Sequence, residues 1–193
     1  MKFLAGLVQV AVATKVVFDS HYPLDKGSTG FAISKSRTAA VRFHSLPASD
    51  DACESEGLTV SHVTFAMDTS YAAPGTVLQV GICSSVNDEP NCARSDLPGR
   101  ISINTLSEQF EFNWSPTSQI VLAPSTDYWF TVGSNAQDRD RVPIWLEGTK
   151  EFNTDNDPKN KVMFAFTETQ DGPWNVIFGG ENRVVNSLQV FAN

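Results

Sequence analysis

The sequence predicts an all-β protein, an antiparallel β-sandwich of jelly-roll-like organisation. Three observations carry this. Apolar residues recur at every second position through most of the chain, the periodicity of strands with one buried face. Gly, Pro, Asn, Asp and Ser break these runs at short intervals. No stretch of convincing length has the 3.6-residue period of an amphipathic helix, and neither an internal repeat nor an interdomain linker is visible. With 193 residues and 21.1 kDa, the chain is long enough to bury one large core.

The elements follow in order. KVVFD at 15–19 reads as a first strand, followed by a Pro/Gly/Ser loop to Gly30. In 38–44, Val41 and Phe43 oppose Arg42 and His44. An acidic loop, 49–57, leads into LTVSHVTFAMD, where Val63, Phe65 and Met67 alternate with His62, Thr64 and Ala66. Leu58 and Val60 lie out of phase with that face, which predicts a bulge near Ser61. A turn at 72–75 precedes TVLQVGIC, with Leu78, Val80 and Ile82 inward. After the turn DLPG at 96–99, Phe110, Phe112 and Trp114 share one face of the next strand.

The stretch 120–133, IVLAPSTDYWFTVG, is the expected centre of the fold. Ile120 and Leu122, then Tyr128, Phe130 and Val132, mark one buried face, and Trp129 falls on the other. Pro124, Ser125 and Asp127 provide turn chemistry between the two runs. A polar loop to Arg141, the strand VPIWLEG, a second polar loop at 147–161 and KVMFAFT follow, the last burying Val162, Phe164 and Phe166. Gly179 and Gly180 turn into a final strand over 184–191.

The N-terminal MKFLAGLVQVAVA has one lysine, a short apolar run and an A-x-A pattern at Ala11 and Ala13. It reads as a secretory signal over 1–13, leaving one domain over 14–193. It is too short to span a bilayer. The net charge of −8, with no basic run, disfavours nucleic acid and anionic membranes as partners. Cys83 and Cys92 bracket the polar SSVNDEPN and are expected to form a disulfide in an extracellular setting, leaving Cys53 unpaired. No C-x-x-C or ligand-spaced histidine accompanies them, so zinc is not implied.

The order of pieces VVFD, AAVRF, LTVSHVTFAMD, TVLQVGIC, a Phe-x-Phe strand, IVLAPSTDYWFTV, GPWNV and SLQVFA resembles the β-sandwich domain of bacterial choice-of-anchor surface proteins. The Leu-x-x-x-Thr-x-Tyr-Trp segment of that family matches Leu122, Thr126, Tyr128 and Trp129. The likeness covers roughly residues 16–192 and implies a secreted or cell-surface module; it carries no catalytic residues across. The family's C-terminal anchoring segment has no counterpart in the closing VFAN, so secretion or retention by a partner is expected instead.

For function, the sequence points first to a non-enzymatic module that binds glycan or another surface component. Trp129 and Trp145 both read as out of phase with their strands, so either indole could stack on a sugar ring, with Asn135 and Gln137 supplying directed bonds. Asn153, Asp155 and Asp157 alternate as oxygen ligands do in calcium loops, although Pro158 and Phe164 stand where an EF-hand loop has glycine and glutamate. Calcium is the one cofactor the residues suggest. The alternative function is a structural subunit that self-associates edge to edge in a coat, fibre or matrix. A hydrolase using Glu111 and Glu147 trails both, because no spacing brings the two carboxylates together and no nucleophile motif surrounds His21, His44 or His62.

Overall fold

The structure, a computed structural model, describes residues 13–23, 29–48, 57–137, 141–180 and 182–193. The signal-like segment up to residue 12, Cys53 with most of its acidic loop, and residues 138–140 of the polar loop before Arg141 lie outside the described residues.

Fourteen strands are found among the described residues. The first seven are β1 (Lys15–Asp19), β2 (Gly30–Ala32), β3 (Ala39–His44), β4 (Leu58–Asp68), β5 (Val77–Val86), β6 (Glu89–Pro90) and β7 (Gly99–Ser102). The rest are β8 (Phe110–Trp114), β9 (Val121–Leu122), β10 (Asp127–Ser134), β11 (Ile144–Leu146), β12 (Met163–Phe166), β13 (Asn175–Ile177) and β14 (Gln189–Ala192). They form two seven-stranded sheets, with every pairing antiparallel.

In the first sheet the long β4 is the spine. Its eleven residues are too many for one partner, so β14 and β11 share one edge while β8 and β9 share the other. Beyond them lie β1 and β2. Phe191 pairs with His62 and Ala192 with Val60, so Ser61 is the extra residue of a bulge. The bulge resets the alternation, and Leu58 and Val60 therefore join Val63, Phe65 and Met67 in the core.

In the second sheet, of order β13-β12-β3-β10-β5-β6 with β7 also on β5, β10 is central. Pro124 and Ser125 do not close a hairpin. They carry the chain from β9 in the first sheet to β10 in the second, with Ser125 at φ 52°. The inner faces meet through aromatic contacts: Phe130 lies 5.4 Å from Phe65 and 5.9 Å from Trp145, and Phe18 lies 6.1 Å from Phe43. Rings at such spacings add edge and offset attractions to the area they bury.

The outer face of the second sheet carries a smaller core of its own. Ala40, Cys83, Leu97, Trp129, Met163 and Ala165 are buried there, with Trp174 and Val176 half-buried against them. The chain that covers them runs from β6 through a 3₁₀ turn at Arg94–Asp96, and the Cys83–Cys92 bond pins it down with Cα atoms 5.8 Å apart. Reducing this bond, or replacing both cysteines by serine, is expected to cost about 2–3 kcal/mol by releasing so short a loop in the unfolded chain. Urea midpoints check this, and the unreduced, denatured protein should titrate for a single thiol.

Candidate functional site

The tryptophans chosen as sugar platforms are interior residues, which corrects the sequence reading. Trp129 has no exposed surface: it does face away from the main core, but into the second one. Its Nε1 donates to Ser85 Oγ at 3.1 Å, and the Arg42 guanidinium sits 5.8 Å from its ring. Trp145 is equally buried. Its pairing with Met67 turns it inward, between Phe65 and Phe130, and its Nε1 donates to Ser187 O at 2.9 Å. Neither indole presents a face to solvent.

Asn135 is tied into local structure. Its Oδ1 accepts from Val77 N at 2.7 Å and its Nδ2 donates to Gly75 O at 3.1 Å, holding the turn before β5. Gln137 is exposed and, with Arg141, borders an open cleft of about 520 Å³ beside that turn. The structure does not bring Asn135 or Gln137 to either tryptophan's ring.

Asn153 and Asp157, read as calcium ligands, bond to the protein itself. Asn153 Oδ1 accepts from the backbone N–H groups of Asp155 and Asn156, an Asx-type turn. Asp157 is buried, and its carboxylate accepts from Lys161 N at 2.7 Å, from Val162 N at 2.8 Å and from the Arg183 guanidinium. The alternating oxygens close a loop; the carboxylate that would have to lead a metal shell already serves two amides and an arginine. Glu147 Oε2 accepts from Thr29 Oγ1 at 2.5 Å.

The densest ionic cluster lies where β3 and β10 meet the 147–162 loop. Asp127 and His44 are cross-strand partners, with Asp127 Oδ1 2.6 Å from His44 Nδ1, and Lys161 Nζ donates to Asp127 Oδ2 at 2.8 Å. Burial pushes the Asp127 carboxyl up. Hydrogen bonds from Lys161 and His44, with the charges of Lys161 and Arg42, outweigh it and hold the group below the usual carboxylate range. Arg42, almost wholly buried, donates to the carbonyls of Lys161 and Asn160 and to Asp88 Oδ1. The cluster thereby fastens the loop to the sheet, alongside an open cleft of about 680 Å³ floored by Val17, Phe18 and Phe152.

One segment has an exposed apolar character that nothing in this bonding consumes. β13 is the terminal strand of the second sheet and has no partner on its outer side among the described residues. Ile177 lies opposite Phe164 yet remains 53% exposed, and the following Phe178 is 64% exposed. Beside it, Phe31 of β2 packs 5.3 Å from Phe164, and both rings stay half-buried. Trp174, just before β13, is the one tryptophan that keeps surface exposure. Sequence reading placed no strand at 175–177, because a run of three residues is too short for alternation to report.

No protein-family model matches the chain, and no curated protein or solved structure does so either. The assignment of roles therefore rests on the geometry.

Proposed function

We propose that this protein is an extracellular structural module that self-associates edge to edge through β13. The observation that carries the reading is the unpartnered β13 edge with Ile177 and Phe178 exposed on consecutive residues. Globular proteins blunt such an edge by keeping it short or with charge, proline or a covering loop, because its free N–H and C=O groups template pairing with another chain; β13 is short, three residues, but carries neither charge nor proline. Here residues 174–180, WNVIFGG, contain no charge at all in a chain of net charge −8. Two copies repel over most of their surfaces, and this neutral strip is where that repulsion is least.

Antiparallel pairing of two β13 strands about a two-fold axis would continue the second sheet from one copy into the next and cover Ile177 and Phe178 on both. Secretion belongs to the same proposal, supported by the signal-like start and by the Cys83–Cys92 pair, which persists in oxidising compartments. The resemblance to choice-of-anchor surface domains is part of it too. Recognition through Trp129 and Trp145 is not carried forward, since both rings are buried.

Sedimentation velocity over a range of concentrations tests the reading. The wild type should shift reversibly toward dimer or larger species as concentration rises. Ile177→Lys, a charge at the C-terminal end of β13, should stay monomeric with an unchanged melting temperature. A wild type that remains monomeric throughout defeats the proposal, as does an Ile177→Lys variant that associates equally well.

A further inference from the structure

We infer that the cleft beside Trp174 is a binding site for a carboxylated sugar, a single hexuronate residue of a glycan. Trp174 begins the strip assigned to self-association, but Arg94, Thr38, Thr167 and Asp171 lie outside it, and the inference does not require self-association.

Trp174 is held from behind by the second core, and with Arg94, Asp171, Thr38 and Thr167 it lines a cleft of about 190 Å³. The arginine is a positioned group rather than a free surface chain. Its Nη1 donates to Lys35 O at 2.6 Å and to Ser134 O at 2.9 Å, so its end is fixed by backbone. Its stem lies across Gly133, where a Cβ would sit 2.6 Å from Arg94 Cδ. Any larger residue at that position would displace the arginine.

Two of the five guanidinium N–H groups are thus used, and the three on Nε and Nη2 remain. No carboxylate pairs with Arg94 among the described residues, although the chain is strongly acidic. Among the described residues this half-buried, backbone-held guanidinium has no counter-ion, and a planar anion matches it through two parallel hydrogen bonds.

The neighbours decide which anion. The indole offers a flat apolar face, which suits the C–H face of a pyranose ring. Asp171, exposed and with φ at 53°, adds a carboxylate that needs donors, and sugar hydroxyls are donors. A phosphate, with its greater charge, would be repelled by Asp171, and a carboxylate lacking a ring would leave the indole unused. A hexuronate uses all three groups.

The probe is tri-galacturonate, compared with the neutral galactose trimer, by calorimetry and by tryptophan fluorescence. Because the other three tryptophans are buried, a fluorescence change on binding reports chiefly Trp174. The uronate should bind the wild type at least tenfold more tightly than the neutral sugar. Arg94→Met should weaken it by about tenfold or more, the worth of a charge-assisted hydrogen bond or two. Asp171→Ala, on an exposed loop, is the second variant if Arg94→Met fails to fold, and it should also weaken binding. Ile177→Lys should bind as the wild type does, which separates this site from the edge. Equal affinity for both sugars, no response to millimolar uronate, or unchanged affinity in the folded variants would overturn the inference.

Discussion

Trp145→Ala should lower the stability of the fold by about 3–5 kcal/mol, the cost of deleting a large ring from a packed interior. A single-domain protein has roughly 5–15 kcal/mol to lose, so the variant should stand near the edge of folding. The reason is the position of the ring. Trp145 has no exposed surface, lies between Phe65 and Phe130 at the meeting of the two sheets, and donates from Nε1 to Ser187 O. The substitution leaves a cavity, and it also leaves Ser187 O without that donor. Thermal denaturation should show a fall in Tm on the order of 10 °C, given ~2–4 °C per kcal/mol for a chain of this size. Trp174→Ala, which removes a half-buried ring, should fall by much less. If Trp145→Ala were as stable as wild type, the placement of β11 between β2 and β4 would be wrong.

The same residue shows where sequence reading succeeded and where it stopped. The strand at 58–68 was legible, as was the bulge near Ser61, because alternation reports an apolar face directly; 38–44 showed through Val41 and Phe43, and 15–19 as a short apolar run. The phase of Trp129 was legible as well: it does point away from Tyr128, Phe130 and Val132. What alternation cannot report is whether water or a second layer lies on the far side. Here the layer is the Cys83–Cys92 segment, whose bond was legible in the spacing while its destination over Trp129 was not. Trp145 fails differently. VPIWL is apolar at every position, so its phase is set only by pairing with Met67 and Phe31, residues far away in sequence.

The site was less legible than the fold for the same physical reason. Arg94 and Trp174 are eighty positions apart in sequence, and only the closure of the second core brings them into one cleft. The free edge at β13 is a property of the sheet's strand order, and strand order leaves little trace in the local pattern. Asp157 was read as a metal ligand from its spacing to Asn153 and Asp155, whereas its actual partner, Arg183, lies beyond β12 and β13.

Asp157→Ala should therefore destabilise the protein by about 3–5 kcal/mol, the range for removing one partner of a buried ion pair. The Arg183 side chain is only 13% exposed and loses its counter-ion, while the N–H groups of Lys161 and Val162 lose their acceptor. The damage should spread. The carbonyls of Asn160 and Lys161 receive the Arg42 guanidinium, and Arg42 lies over Trp129, so loosening the loop unsettles the second core as well. Urea denaturation, read by tryptophan fluorescence, measures the loss. Arg183→Met in the same background supplies the control: with both charges gone, the double variant should lose clearly less than the sum of the two single losses. Calcium separates this account from the ligand reading. A metal that bound the folded loop would raise Tm with concentration and would lose that effect in Asp157→Ala. The expected result is a wild-type Tm that does not change with added calcium or chelator; a calcium-dependent rise abolished in Asp157→Ala would restore the metal site and remove Arg183 as the reason for the carboxylate.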